Sequence, residues 1–255
     1  MQPIIDITTT ALIRPQLLEK TYNSFCEKML KGYPCRLFIN IDPFGDTKKY
    51  NTQDVINVAQ KYFKNVVVNV PKTAHMTTAT KWLWNQVESK YFFNLEDDWE
   101  LLFDLNFAHM LRAMERYPNL GSLRLARSDS DETTAQIFRY YGSKTKARAI
   151  WNGNYYVSPE LKFTGFPSLI RKTFMQSYVE EIKPDEAQES TYIRLRKQKN
   201  PIAYDWLHGG YTEKNVGPQI VFDLGKQWRM ERKIRFARKN KKEVLPWYQK
   251  EIRGA

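Results

Sequence analysis

Two cysteines in 255 residues, Cys26 and Cys35, are too few for a disulfide framework or a thiolate zinc site. They read as two reduced core thiols, the state expected of a cytoplasmic chain. No apolar run approaches the roughly 20 residues that cross a bilayer, so no membrane-spanning segment is expected. The opening MQPIIDITTT lacks the basic stretch of a secretory leader and runs straight into a strand-like segment. There is no internal repeat and no low-complexity linker. Acid is also in short supply: 28 Asp and Glu stand against 40 Lys and Arg, a net charge of +12. What is present is apolar and aromatic. Hydrophobic residues make up 42% and aromatics 14% of the chain, enough for a sizeable core, which excludes a disordered chain. The length suits one α/β domain with a C-terminal extension.

The positive charge is unevenly spread. Residues 226–253 hold eleven basic side chains against three acidic ones, a surplus of eight out of the chain's twelve. A basic C-terminal helix from Gln227 onward, set against a polyanion or an anionic membrane surface, is the expectation.

Along residues 3–95 the pattern alternates strand and helix four times. PIIDITT, CRLFINI, NVVVNV and YFFNL read as strands, the third of them built on a run of valines. RPQLLEKTYNSFCEKML follows the first, with Pro15 at a helix start and Leu18, Tyr22, Phe25 and Met29 on one face. TQDVINVAQKYF, with Thr52 as its cap, and TTATKWLWNQVES supply two more helices. Such alternation predicts a mainly parallel sheet covered on both faces. Beyond residue 100 the pattern is looser. LNFAHMLRAMERY, SLIRKTFMQSYVEEI and DEAQESTYIRLRKQK read as helices; LGSLRLA, IAYDW and QIVFDL read as strands. The expected division is 1–100 and 101–225 as two halves of one domain, with 226–255 as the basic extension.

The fourth strand ends in an unusual way. KYFFNLEDDWEL passes from Tyr91, Phe92, Phe93 and Leu95 directly into Glu96, Asp97 and Asp98, with Glu100 after one tryptophan. Packed carboxylates repel one another unless they are solvated, protonated or neutralised by a cation. Ligands of open α/β sheets bind beyond the carboxyl ends of the strands. Hard divalent ions such as Mg2+ and Mn2+ take oxygen ligands and share them with substrate phosphates. A helix N-terminus near Asp104 would also suit acids, but one would serve. The metal site is the preferred reading, and Trp99, fixed beside the acids, is read as a stacking surface for a sugar or base.

In this context the chain resembles the GT-A nucleotide-sugar glycosyltransferases, especially those like family 2. IIDITTTALIRPQLLEKTYNSF is similar to their opening strand, loop and helix, FINIDPFGD to their second strand, and NLEDDWE to their acidic metal motif. The resemblance implies a Rossmann-like GT-A fold. It implies Glu96 and Asp98 as ligands of Mn2+ or Mg2+, and Asp42 facing the nucleotide base. Glu stands where the motif's first Asp belongs, so Asp98 is the safer ligand. Further along, ESTYIRLRKQ resembles the family's acidic helix start followed by an arginine, here Glu189 and Arg196, with Ser190 in place of the second acid. LHGGYTEKNVG resembles the late loop that gives a histidine to metal or diphosphate, here His208, with Lys214 beside it.

The expected activity is metal-dependent transfer of a sugar from a nucleotide sugar, UDP-glucose or similar, to a hydroxyl. Thr9, Thr10, Ala11, Arg14, Asp42, Asp97 and Lys214 would meet the donor, and Glu96, Asp98 and His208 the metal. Glu189, with Asp185 and Glu186 behind it, would take the acceptor's proton. For the acceptor, the basic tail points to duplex DNA and a 5-hydroxymethylpyrimidine base, as in phage enzymes of this type acting in the host cytoplasm. Two rivals stand beside it. One is a peripheral enzyme of surface polysaccharide or lipid-linked glycan synthesis, its tail on anionic lipid. The other is a non-catalytic nucleic-acid-binding protein.

Overall fold

The computed structural model describes residues 4–116, 118, 120–125, 127–128, 148–149, 155–157, 166–183, 191, 202–206 and 220–232. The first strand, β1 (Ile5–Ile13), is buried along almost its whole length, on both faces. That burial is what a central strand of a doubly covered sheet requires. Pro15 then occupies the first turn of α1 (Pro15–Phe25), where its missing N–H costs nothing. Leu18, Tyr22 and Phe25 are fully buried against the sheet. A π-helical turn, Cys26–Leu30, prolongs the helix and buries Met29 and Leu30. β2 (Cys35–Gly45) returns parallel to β1, with Ile5 opposite Cys35 and Leu12 opposite Asp42.

α2 (Thr52–Tyr62) starts with a reciprocal capping box. Its cap is Asn51, not Thr52 as the sequence pattern predicted: the Asn51 side chain accepts from Gln53 N and Asp54 N, and Asp54 accepts from Asn51 N. Asn51, one residue earlier, has a side-chain oxygen that meets both amides while Asp54 answers its own N–H. β3 (Asn65–Asn69) lies at the rim of the sheet, and none of its residues is fully buried. Its apolar run matched a buried strand, yet among the described residues it has a neighbour on one side alone. α3 (Met76–Gln86), capped by His75, leads to β4 (Tyr91–Asn94), which is buried throughout and pairs parallel with β1.

The second half adds β5 (Trp99–Leu101), α4 (Phe107–Arg116), β6 (Leu120–Leu125), β7 (Arg127–Ser128), β8 (Arg148–Ala149), β9 (Tyr155–Val157), β10 (Ser168–Arg171), α5 (Lys172–Val179), β11 (Ile202–Trp206), β12 (Val221–Asp223) and α6 (Leu224–Glu231). SLIR, expected to open a helix, is instead the strand β10, wedged antiparallel between β4 and β6. Its Leu169 and Ile170 are both fully buried, one on each face, which a strand allows and a helix start does not. The main sheet runs β3-β2-β1-β4-β10-β6-β11-β9-β8. Among the described residues, all of its strands except β10 and β9 point the same way. A small second sheet, β5-β12-β7, stands beyond the tip of β4.

Helices cover both faces. Leu18, Tyr22, Phe25, Val55, Ala59, Phe107 and Met110 from α1, α2 and α4 form one apolar layer with Ile7, Ile39 and Phe93. Leu83, Trp84, Phe174, Met175 and Tyr178 from α3 and α5 form the other with Phe38, Phe92 and Ile170. This is the α/β architecture the pattern predicted. The described helix α6 begins at Leu224, three residues earlier than the expected basic helix, and Asp223 caps it by accepting from Lys226 N. The boundary expected at 225/226 falls inside it.

Candidate functional site at the carboxyl ends of the strands

β1 has β2 on one side and β4 on the other, so the chain reverses its direction of progress between β1 and β4. Such a reversal opens a crevice at the carboxyl ends of the two strands. The chain leaving β4 crosses that opening. Leu95 N donates to Thr8 O and Asp97 N to Thr10 O, which continues the strand pairing past the last formal residue of β4. Asp97 O accepts from Thr21 Oγ1, and Thr21 Oγ1 in turn accepts from Trp99 N. α1 thereby fixes the acidic segment from below.

The four acids that stood together in sequence part company here. Asp97 turns inward. Its Oδ2 accepts from Leu12 N at 2.9 Å and Arg14 Nε at 2.8 Å, and its Oδ1 accepts from Arg14 Nη2 at 2.5 Å. The same Nη2 donates to Asp98 Oδ2 at 2.8 Å. Arg14 is 4% exposed and its guanidinium lies over the Trp228 ring, 5.1 Å from the centroid. Burial opposes its charge, but Asp97 and Asp98 outweigh burial and raise its pKa further above the ordinary value. Burial likewise raises the Asp97 carboxyl, with Arg14 and the Leu12 amide opposing.

Asp98 faces α6. Its carbonyl accepts from Leu224 N at 2.8 Å, and its Oδ2 also lies 3.8 Å from Arg229 Nη1. Gly225 makes this approach possible: a Cβ there would stand 1.9 Å from Asp98 Oδ2 and 2.6 Å from its Cγ. Glu96 is half-buried, and its Oε2 accepts from Trp99 Nε1 at 3.2 Å. Glu100 lies on β5, opposite Phe222 of β12. Trp99 is 2% exposed, with Phe166 5.0 Å from its ring. This corrects the stacking role expected for Trp99: its ring is core, and its indole N–H orients Glu96.

Across the crevice, Asp42 sits near the end of β2, buried, with its Oδ1 accepting from Asn40 Nδ2 at 2.8 Å. Burial pushes its carboxyl up to about 6; Asn40 and the nearby His75 pull it down, and the charge of Asp97 adds to the rise. Just beyond, the β1–β2 register slips between Leu12 and Ile13, so that Ile13 faces Gly45. Gly45 has φ +131°, and a Cβ there would lie 2.5 Å from Ile13 O. The slip brings Asp46 N to Ile13 O at 2.7 Å. Asp46 then accepts from Trp228 Nε1 at 3.2 Å and from Arg232 Nε and Nη2 at 2.8 and 2.9 Å. Thr9 and Ala11 are buried in β1 and Thr10 is half-buried.

The structure therefore brings Thr9, Thr10, Ala11, Arg14, Asp42, Glu96, Asp97 and Asp98 to one end of the sheet. Asp185, Glu186, Glu189, His208 and Lys214 lie outside the described residues. Two features escaped the sequence reading. Arg14 is an ion-pair partner of the acidic motif, set 83 and 84 residues from it in the chain. The start of the basic tail, Arg229 and Arg232, points back onto Asp98, Asp223 and Asp46. No signal short of the fold could have paired them.

Among the described residues no three His, Cys, Asp or Glu side chains come together to hold a divalent ion. Asp98 Oδ2 is taken by Arg14, but Oδ1 receives no hydrogen bond from any described residue. Asp98 with Glu96 thus offers one or two carboxylates, the number Mg2+ or Mn2+ takes when phosphates and water complete the shell.

The order of strands, the crevice and the acidic crossing define a GT-A-type fold. No protein-family model and no curated protein sequence matches the chain. Solved structures do. A mannosyltransferase from Pyrobaculum calidifontis, in complex with GDP-Man and Mn2+, is similar over 85% of this chain and 59% of its own, with TM-score 0.53 and 8% identity. GalNAc-T7 with UDP, GalNAc and Mn2+ is similar over 79% of this chain and 42% of its own, with TM-score 0.55 and 11% identity. CMP:2-keto-3-deoxy-manno-octonic acid synthetase complexed with CTP is similar over 85% and 94%, with TM-score 0.50 and 13% identity. At these identities the likeness is one of fold. The chain spans about half the length of the two transferases. Among the described residues no helix is long and apolar enough to cross a membrane.

Proposed function

We propose that the protein transfers a sugar from a nucleoside diphosphate sugar to a hydroxyl acceptor, using a divalent ion held by Asp98 and Glu96. The observation that carries this reading is the Asp98 carboxylate at the switch point, with one oxygen fixed by Arg14 and the other receiving no hydrogen bond from a described residue. When bound, the ion would act as a Lewis acid on the departing diphosphate. The neighbours caught with GDP-Man or UDP and Mn2+ support the ligand class.

The chain's own residues divide the work. Asp97 and Arg14 are positioning residues: Asp97 holds Arg14, and Arg14 holds Asp98. The sequence pattern placed both among the residues that meet the donor; here we assign them to positioning instead. Asp42 and the Thr9–Ala11 segment line the nucleotide side. Glu189, Asp185 and Glu186 remain the candidates to accept the acceptor's proton, His208 to join the metal and Lys214 to meet the diphosphate. For the acceptor we keep a 5-hydroxymethylpyrimidine in duplex DNA, supported by the basic surplus of the tail, which over residues 233–253 is eight Lys and Arg against two Glu. Arg229 and Arg232 are turned inward, so that support rests on residues 233–253.

The test is a panel of UDP-, GDP- and CMP-sugars incubated with the full chain and Mn2+, with hydrolysis and transfer as readouts. Donor hydrolysis that stops on chelation and in Asp98→Asn supports the reading. Hydrolysis unaffected by either overturns the metal assignment. Transfer to hydroxymethylated duplex selects the DNA acceptor, and transfer to glycan primers alone removes it. Pyrophosphate release from CTP with a sugar acid would move the protein to the synthetase class instead.

A further inference from the structure

The acidic crossing and β5 have a strand partner on one flank alone among the described residues. On that flank Leu102 N donates to Ile220 O and Leu224 N to Asp98 O. On the other flank the partners are side chains of a helix. Thr21 Oγ1 donates to Asp97 O at 3.0 Å and accepts from Trp99 N at 3.1 Å. One turn on, Ser24 Oγ accepts from Leu101 N at 3.0 Å. Another turn on, in the π-helical segment, Lys28 Nζ donates to Leu101 O and Leu102 O at 2.9 and 3.3 Å. Thr21, Ser24 and Lys28 share one stripe of the helix surface. That stripe does for residues 97–102 what a neighbouring strand would do.

Thr21 differs from the other two in where it grips. Asp97 O and Trp99 N belong to the two peptide groups on either side of the Asp98 Cα, and one hydroxyl oxygen ties both. The second of these groups is also held from the far side, through Asp98 O and Leu224 N. Peptide groups are planar, so fixing both fixes φ and ψ of Asp98 and the direction in which its carboxylate leaves the chain. Trp99, whose amide Thr21 holds, also carries the indole Nε1 that donates to Glu96 Oε2 at 3.2 Å. A single hydroxyl thus stands behind both carboxylates assigned to the ion. Thr21 itself is fully buried in α1, so it acts through the residues it holds.

We propose that Thr21 is a positioning residue for metal binding: its hydroxyl sets the angle at which Asp98 and Glu96 face a divalent ion. This rests on the reading of those two acids as the ligands. Mg2+ demands near-ideal octahedral geometry at about 2.0–2.1 Å. A working site is held to about 0.5 Å and 10–20° by its supports. With two carboxylates from one short crossing, the crossing itself has to be the support. Thr21→Val isolates the hydroxyl, because valine keeps the shape and the branched Cβ and has a similar helix propensity.

The test is calorimetric titration of the full chain with UDP over a series of Mn2+ concentrations, for the native protein, Thr21→Val, Thr21→Ser and Ser24→Ala. In Thr21→Val the Mn2+ concentration that half-restores UDP binding should rise about tenfold to hundredfold, the range for losing a group that orients a metal ligand. Thr21→Ser returns the hydroxyl and should bring it back to within about threefold of native on that scale. Ser24→Ala cuts the same ladder at Leu101, past both ligands. It should lower the melting temperature yet leave the Mn2+ requirement within about threefold of native. Should Thr21→Val melt below the working temperature, Thr21→Cys, of similar size and a weak donor, is titrated in its place. An unchanged Mn2+ requirement in the Thr21 variant, no recovery in Thr21→Ser, or an equal rise in Ser24→Ala overturns the assignment and leaves the metal reading standing. A native protein whose binding of UDP and GDP is indifferent to Mn2+ overturns the metal reading itself, and the role of Thr21 with it.

Discussion

Replacing Gly225 by alanine reverses a familiar expectation. In a helix that change ordinarily stabilises by roughly 0.5–1 kcal/mol, because glycine loses more backbone freedom on folding. Here the added methyl would lie 1.9 Å from Asp98 Oδ2, 2.6 Å from Cγ and 3.0 Å from Cβ. Asp98 cannot simply swing away. Its side chain is bonded to the buried Arg14 and its carbonyl to Leu224 N, the residue before the substituted one. Either the Asp98–Arg14 bond breaks, at about 1.5–3 kcal/mol for a hydrogen bond to a charged group, or α6 shifts, an overpacking cost of about 1–3 kcal/mol. Setting the helix gain against either, Gly225→Ala should destabilise by about 1–2 kcal/mol on those scales. In a chain of this size that lowers Tm by roughly 2–8 °C. Thermal melts of both proteins measure it, and titration with UDP and Mn2+ should show weaker binding in the variant. A variant as stable as the native protein, with undiminished binding, would refute the contact and the placement of α6 with it.

Three further outcomes follow from the same geometry. Asp97→Ala leaves the buried Arg14 charge with Asp98 alone and should cost about 3 kcal/mol, the low end for breaking a buried ion pair, read as a Tm drop on the order of 10 °C; a change under about 2 °C on that scale would show that the pair is not what holds the acidic crossing. Asp42, with its pKa raised from 3.8 to about 6, holds its proton more firmly folded than unfolded. Its contribution to stability is therefore greatest at acid pH, falls as pH rises from about 4 to 6, and is fully lost above. Asp42→Asn should gain up to about 3 kcal/mol over the native protein at pH 7.5 and nothing at pH 4, measured by urea melts; an equal difference at both pH values removes the burial argument. Asp98→Asn keeps the shape of the side chain and should abolish Mn2+-promoted UDP binding in calorimetry while the melt shows a folded protein; retained Mn2+ promotion would leave Glu96 or another group as the ligand.

The first half of the chain was legible because its signals are local. Alternation of apolar strand and amphipathic helix needs a window of a dozen residues, and β1 through β4 follow it closely. The misreadings have equally local causes. Thr52 and Asn51 are both good caps, and only the geometry chooses. SLIR is four residues of strand joined without a break to a helix, so its pattern merges with the helix that follows. β5 is three residues long, too short for any period to show. The site was half legible. The acids announced themselves as a cluster, but their separate employments depend on Arg14, Trp99 and Gly225, and two of those contacts span more than eighty residues of chain. The tail was misread in part because a charge count takes no account of direction: Arg229 and Arg232 add to the basic total while facing acids of the body.

The wedge of β10 between β4 and β6 bears on how the chain is made. β4, with Tyr91, Phe92, Phe93 and Asn94 all buried, has β1 as its neighbour on one flank and residues 168–171 on the other. During synthesis the first hundred residues emerge able to form β1 to β4, yet the far flank of β4 stays bare until some seventy more have been added. A naked aromatic strand is a template for the same strand of another nascent chain. Fragments ending near residue 100 should accordingly clump, and fragments reaching past residue 206, in which β11 also covers β6, should stay dispersed. The late strands that enter the middle of the sheet, β10 and then β11, rather than the first to form, decide when the polypeptide becomes safe to release.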